Sequence, residues 1–329
     1  MNEFITPETF NAIDDLEEFI THVDPESYIA RVALEYLVIN SKSDLLEKLI
    51  EKLLTSTSEE SRTWAEVYQI DHLLYKQEIS LIEATKQLTY KKVKSDELAT
   101  LIKVFQLYNY YDLKNFEMRA SLSSLVAVEI PQLIDGFMKN SLLCREKLIM
   151  QGVHLHLNEV EESRKCGLEL LENALTPSMK AIAYNLLGIS YIICNKDMAL
   201  ENFHKSIDLA KNLQNNRMLD QAQISMNFTY CYWNETDKLK EDLYELTSLN
   251  NKQGFAFYLI KTGKKNEALK ILDDIDLKID NDYLKAFDQY YRGLISGERL
   301  YFQKSTKYFE LAGNLYFRQL PLNELNRIN

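Results

Sequence analysis

The chain is poor in the residues that interrupt helices, with 9 glycines and 5 prolines in 329 residues. Glycine and proline are the strongest local breakers, so their scarcity excludes a loop-rich or strand-and-turn protein. Leu, Glu, Lys and Ile dominate between them, a composition for helices joined by short turns. An all-α fold follows. Cysteine is also scarce, and Cys144, Cys166, Cys194 and Cys231 lack CxxC spacing, which excludes a disulfide framework and predicts reduced thiols in a cytoplasmic protein. The opening "MNEFITPETF" has no basic region followed by an apolar core, and "SLSSLVAVEI" stops after about ten residues, half of a bilayer span. A membrane role is not expected. No block of Lys and Arg stands out from a net charge of −11 and a pI near 5.1, so direct nucleic-acid contact by this chain is not expected.

Signs of chemistry are missing as well. The glycines are dispersed and form neither GxGxxG nor GxxxxGK[ST], so nothing cradles a phosphate. His154 and His156 lie two positions apart, which on a helix points them to nearly opposite sides and rules out a shared metal. No cysteine sits in a recognisable nucleophile context. No catalytic residue, metal ligand or cofactor is therefore assigned, and the chain does not read as an enzyme.

What is present is organised by helix starts. Thr6-Pro7, Asp24-Pro25 and Thr176-Pro177 each place a capping side chain before a proline, which is tolerated at the first helical position because its missing N–H would have no partner there. The pattern predicts helices near 7–22, 26–40, 44–55, 59–76, 80–88, 96–110, 113–127 and 131–157, then paired helices to the end. Residues 1–23 read as an N-terminal helix and 24–329 as one continuous superhelix, with degenerate repeats clearest in 159–312.

The later repeats carry tetratricopeptide spacing. In "AYNLLGISYIICNKDMALENFHKSIDLA", Gly188 and Tyr191 mark a close helix crossing, and Ala199, Phe203 and Ser206 follow on the next helix. In "YYRGLISGERLYFQKSTKYFELA", Ser305, Phe309 and Ala312 follow Gly293 by 12, 16 and 19 residues. Between these, Ala268 follows Ala199 by 69 residues, close to two periods of about 34, while 213–252 keeps part of the pattern. Small residues let helices approach, aromatic knobs fill the gaps, and stacked units leave a concave groove suited to a peptide or helix. Aromatic residues are plentiful, 20 Tyr and 14 Phe, and most belong to packing. Asn227-Phe228 and Gln253 combine rings with amides on helices, as a groove that bonds a peptide backbone requires.

The segments "WAEVYQIDHLLYKQEISLIEATKQL", "GISYII", "FTYCYWNET" and "YYRGLIS…STKYFELAGNLYFRQLP" resemble the arbitrium receptor (AimR) family of Bacillus phages, from about Asp24 to the C-terminus. The resemblance implies a tetratricopeptide-like dimeric receptor for a short secreted peptide that decides between lysis and lysogeny. Family members bind DNA through an N-terminal helix-turn-helix, and about twenty residues precede Asp24-Pro25 here, too few for that module: either the chain is a fragment or this member has lost direct DNA binding. They also continue into an apolar C-terminal segment that supports dimerisation, whereas this chain ends at Asn329.

Where family positions fix the peptide with asparagine, arginine and acidic side chains, this chain has Gly152, His156, Ser178, Ile189, Gly254 and Asn314. Phe228, Gln253 and Phe257 match retained groove residues. His156, Phe228, Gln253, Phe257 and Asn314 are therefore the candidate peptide-binding residues. The family's peptides carry an arginine, and a buried guanidinium needs a carboxylate, so a neutral Asn314 implies a changed preference. Two readings result: a peptide-sensing regulator of the arbitrium type, as a homodimer or a heterodimer with a related receptor, or an interaction scaffold that no longer senses peptide and binds a phage or host protein.

Overall fold

The computed structural model describes residues 5–113, 116–239, 248–276, 278–279 and 281–328. Among these residues there is no strand. The helices are α1 Pro7–Asn11, α2 Leu16–His22, α3 Tyr28–Ile39, α4 Ser43–Leu54, α5 Glu59–Tyr75, α6 Leu81–Tyr90, α7 Asp96–Asp112, α8 Phe116–Glu129 and α9 Phe137–His156. They continue as α10 Val160–Asn173, α11 Pro177–Tyr191, α12 Lys196–Asn212, α13 Asn216–Tyr232, α14 Leu249–Lys261, α15 Lys265–Asp276, α16 Asp282–Ser296, α17 Arg299–Leu311 and α18 Gln319–Arg327. The chain divides into two compact units, Met1–Ile149 with Leu170–Met179, and Met150–Glu169 with Lys180–Asn329. Residues 114–115 of the expected helix 113–127, and 240–247 of the 213–252 segment, lie outside the described residues.

Helix starts follow their caps more closely than their prolines. Asp15, Ser27, Ser58, Ser80, Ser95, Asn195, Asn215, Ser248 and Asn281 each accept a backbone N–H of the first turn, meeting donors that have no partner inside the helix. Asp15 therefore splits the expected helix 7–22 into α1 and α2. Pro25 lies in a turn, and Ser27 starts α3 two residues later. The expected helix 131–157 begins only at Phe137, because Ile130–Gln132 winds into a 3-10 turn and Leu133 is extended. Thr6-Pro7 and Thr176-Pro177 start α1 and α11 as anticipated, with the Thr176 hydroxyl accepting from Met179 N–H at 3.2 Å.

Helix ends explain how so few glycines suffice. After α3, α5, α9, α12, α13, α14 and α17, one residue turns left-handed, and the next two N–H-to-carbonyl bonds close the end in the Schellman pattern. Only Gly263 and Gly313 are glycines among these; the others are Ser41, Gln77, Asn158, Gln214 and Asn234. A side chain there costs about 1 kcal/mol, because Cβ crowds the following carbonyl. Gln214→Gly is expected to raise stability by about 1 kcal/mol, read as a higher denaturant midpoint with an unchanged slope.

The first unit is built on a buried ionic knot. Glu35 is fully buried on α3; Arg145 Nε donates to its Oε1 at 2.7 Å and Arg145 Nη2 to its Oε2 at 3.2 Å. The Tyr68 hydroxyl donates to Oε2 at 2.9 Å, and the Ser141 hydroxyl donates to Oε1. Burial works against the Arg145 cation, and the Glu35 carboxylate more than offsets it, so Arg145 stays charged. Burial pushes Tyr108 up to about 12, with its hydroxyl donating to the Arg145 carbonyl at 3.2 Å.

Burial also pushes Asp71 up to about 6, with Glu35 adding to the effect and Arg145 opposing it. An acid whose pKa is raised on folding costs stability as pH rises from its unfolded value near 4 to its folded value. Above pH 6 the full cost is about 3 kcal/mol. Asp71→Asn is expected to remove this loss, raising stability at pH 7 and flattening the pH profile between about 4 and 6 in denaturant titrations.

In the second unit, α12 packs on α13, α14 on α15, α16 on α17, and α14 also meets α13 and α16. A Cβ built on Gly188 would lie 2.5 Å from the Phe203 ring, and one on Gly293 would lie 2.7 Å from the Phe302 ring. Both glycines therefore mark close helix crossings, as their spacing predicts. The register of the partner helices differs from the spacing match. The Ser206 hydroxyl donates to Ala181 O at 2.7 Å and the Ser305 hydroxyl to Ala286 O at 2.8 Å, so Phe203/Ser206 corresponds in contact to Phe302/Ser305. Phe309 instead joins an aromatic cluster with Phe287, at 5.0 Å. The connection between α16 and α17 is also the shorter of the two, with Gly297 turning left-handed directly at the helix end.

Candidate functional site

The second unit holds a cavity of about 400 Å³, within the usual size of ligand pockets. Its lining comes from the end of α11, from α13, α14 and α16, and from Phe317 in the turn before α18. Ile189, Ile192, Ile224, Phe228, Tyr283, Phe287 and Phe317 supply apolar surface, and Gln223, Asn227, Asn250, Asn251 and Gln253 supply amides. Asp220, exposed, is the acidic residue in the lining, and no cationic side chain lines it among the described residues.

Phe228 organises the apolar part. Its ring centroid lies 5.1 Å from Phe257, 5.8 Å from Phe287 and 5.9 Å from Phe317. Phe257 is fully buried and stacks on Tyr291 at 4.9 Å, so it stiffens the wall from behind without lining the cavity. Gln253 is buried on α14, and its Nε2 donates to Leu284 O on α16 at 2.8 Å. That bond fixes the amide while spanning two of the lining helices.

His156 and Asn314 are placed differently. Neither is among the residues lining the cavity. The His156 carbonyl, at the end of α9, accepts Leu315 N–H at 2.7 Å. Asn314 is buried, and its Oδ1 accepts Phe317 N–H at 3.0 Å, a local turn that sets the direction of Phe317. Among the positions read as departures from the family, Ile189 and Gly254 do line the cavity. Sequence reasoning missed Asp220, Asn250, Asn251, Phe287 and Phe317. Nothing local distinguishes these from other helical polar or core residues, because they meet only through the packing of separate repeats.

The end of α11 is unusually well tied for a cavity wall. Carbonyls at a helix end lack a full set of partners within the helix, and at and just beyond the end of α11 three side chains bond to them. Arg164 Nη2 donates to Ser190 O at 2.8 Å, Trp233 Nε1 to Ile192 O at 2.8 Å, and the Tyr316 hydroxyl to Ile189 O at 2.6 Å. The Arg164 guanidinium also lies over the Tyr191 ring at 3.8 Å.

Residues 12–327 match the family described as AimR transcriptional regulator-like. The chain belongs to that family. It is 31% identical over 313 residues to the AimR transcriptional regulator of Bacillus phage phi3T, covering 95% of this chain and 81% of the phage protein. A solved structure of phAimR with its ligand superposes with a TM-score of 0.83 at 29% identity, covering 95% of this chain and 92% of the other. The structure of a Rap protein complexed with competence and sporulation factor has a TM-score of 0.63 at 10% identity, covering 91% of this chain and 98% of that one. That likeness shows the fold alone. AimR-like membership and the tetratricopeptide-like helical-repeat fold agree with the spacing of the glycines and aromatic residues. Among the described residues, no helix is long and apolar enough to cross a membrane.

Proposed function

We propose that the chain is a peptide-sensing transcription regulator of the arbitrium type, acting in the bacterial cytoplasm on the choice between lysis and lysogeny, and not an enzyme. The observation that carries this reading is the cavity itself: aromatic and aliphatic surface beside a row of amides, on the facing helices of consecutive repeats. Such a lining buries side chains of an extended peptide while bonding its backbone. The phi3T relative is a transcriptional regulator, and phAimR was solved with a ligand.

In this reading Phe228 and Gln253 touch the peptide, and Gln253 presents its Oε1 because its Nε2 is engaged. Phe257 supports Phe228, while His156 and Asn314 hold the turn that carries Phe317. Asp220 is the carboxylate placed to receive a cationic peptide side chain, a role that the neutral Asn314 does not fill. Calorimetry with arginine-containing hexapeptides is expected to give one-to-one binding with Kd near 1 μM or tighter, about 8 kcal/mol. No heat from any of them would remove that ligand class.

A further inference from the structure

The turn between α17 and α18 makes contacts that its position in the chain does not require. Gly313 is left-handed, and α17 closes as Gly313 N–H donates to Glu310 O and Asn314 N–H to Phe309 O. Leu315 and Tyr316 then reach back to earlier helices of the same unit. Leu315 N–H donates to His156 O at the end of α9, and the Tyr316 hydroxyl donates to Ile189 O, 127 residues away. Tyr316 also accepts Ile193 N–H at 3.4 Å, so one buried hydroxyl holds both sides of the α11 terminus. Phe317 lines the cavity together with Ile189 and Ile192, and α18 begins two residues later.

We propose that residues 313–318 are a clasp joining the first and last helices of this unit around the cavity, with Tyr316 as the positioning residue that transmits cavity occupancy to α18. The inference rests on the peptide reading only for the identity of the natural trigger. Its mechanics come from connectivity. A ligand between Ile189 and Phe317 loads both walls, and these walls are joined through Tyr316. Displacement of Phe317 passes directly to Gln319, because the Asn314 side chain and the Leu315 bond leave the turn little freedom to absorb it. Without the Tyr316 hydroxyl, the α11 wall and the clasp move separately.

The test fills the cavity without needing the natural ligand. In a Cys194→Ser background, which removes the exposed thiol, Ser225→Cys is reacted with benzyl methanethiosulfonate. The thiolate displaces sulfinate and forms a mixed disulfide, which places a phenyl group at the cavity lining. Amide exchange in α18 is expected to change about five- to tenfold on labelling, and to stay unchanged on labelling when Tyr316→Phe is added. In the unlabelled Tyr316→Phe protein, amides 189–194 exchange about five- to tenfold faster while the thermal midpoint confirms folding. An α18 that ignores the label, or that responds equally in Tyr316→Phe, overturns the proposal. Failure of the peptide reading shows separately, as hexapeptides that give no heat while the benzyl label still shifts α18.

Discussion

Arg145→Met is expected to destabilise the protein by about 3–5 kcal/mol, seen as a fall in Tm of roughly 10 °C. The reason lies in what remains after the guanidinium is gone. Glu35 is fully buried, and without Arg145 its carboxylate keeps, among the described residues, the Tyr68 and Ser141 hydroxyls. Two neutral hydroxyls do not offset the desolvation of a full charge. The contrast that identifies this mechanism is the double variant Glu35→Leu with Arg145→Met, which removes both charges and is expected to recover most of the loss. Equal damage in the single and double variants would mean that Arg145 acts through shape, for instance through its guanidinium 5.4 Å over the Phe105 ring.

The second large effect concerns binding. Ser225→Trp is expected to weaken hexapeptide binding more than 100-fold, about 2.7 kcal/mol or more, with little change in Tm. Ser225 lines the cavity, and among the described residues its hydroxyl bonds only to Gln221 O one turn back on α13, a contact within one helix. An indole there occupies volume that the ligand needs. Calorimetry of the variant beside the parent protein decides the matter, and an unchanged Kd would place the peptide elsewhere.

Much of the fold was legible because helices announce their starts chemically. Ser58, Ser80 and Ser95 cap α5, α6 and α7 within a residue or so of the expected positions. Gly188 and Gly293 were legible as close crossings because only a missing Cβ allows Phe203 and Phe302 so near. The left-handed ends at Gln77 and Gln214 were not, since glutamine carries no preference for that conformation. Contact register between paired helices was also hidden. The spacing pattern aligned Phe203 with Phe309, while the serine hydroxyls align it with Phe302.

The candidate site was legible in part and for different reasons. Phe228 and Gln253 were singled out by amide and aromatic composition together with the family resemblance, and both line the cavity. Asn314 was singled out as a changed ligand partner, and its side chain is engaged with Phe317 N–H. No local pattern marks such a residue, because the bond depends on the turn around Gly313. Phe287 and Phe317 carry no local mark that separates them from core residues, and only the packing of α16 against the turn before α18 brings them together at 5.4 Å.

The central claim is that a short peptide occupies the cavity between α11, α13, α14 and α16. A pool of hexapeptides carrying a photoactivatable benzophenone, crosslinked to the intact protein and mapped by mass spectrometry, tests it most directly. The account predicts adducts concentrated at Ile189, Ile224, Phe228, Gly254 and Phe287, and their disappearance in Ser225→Trp. Adducts scattered over the surface, or an unchanged pattern in Ser225→Trp, would contradict it.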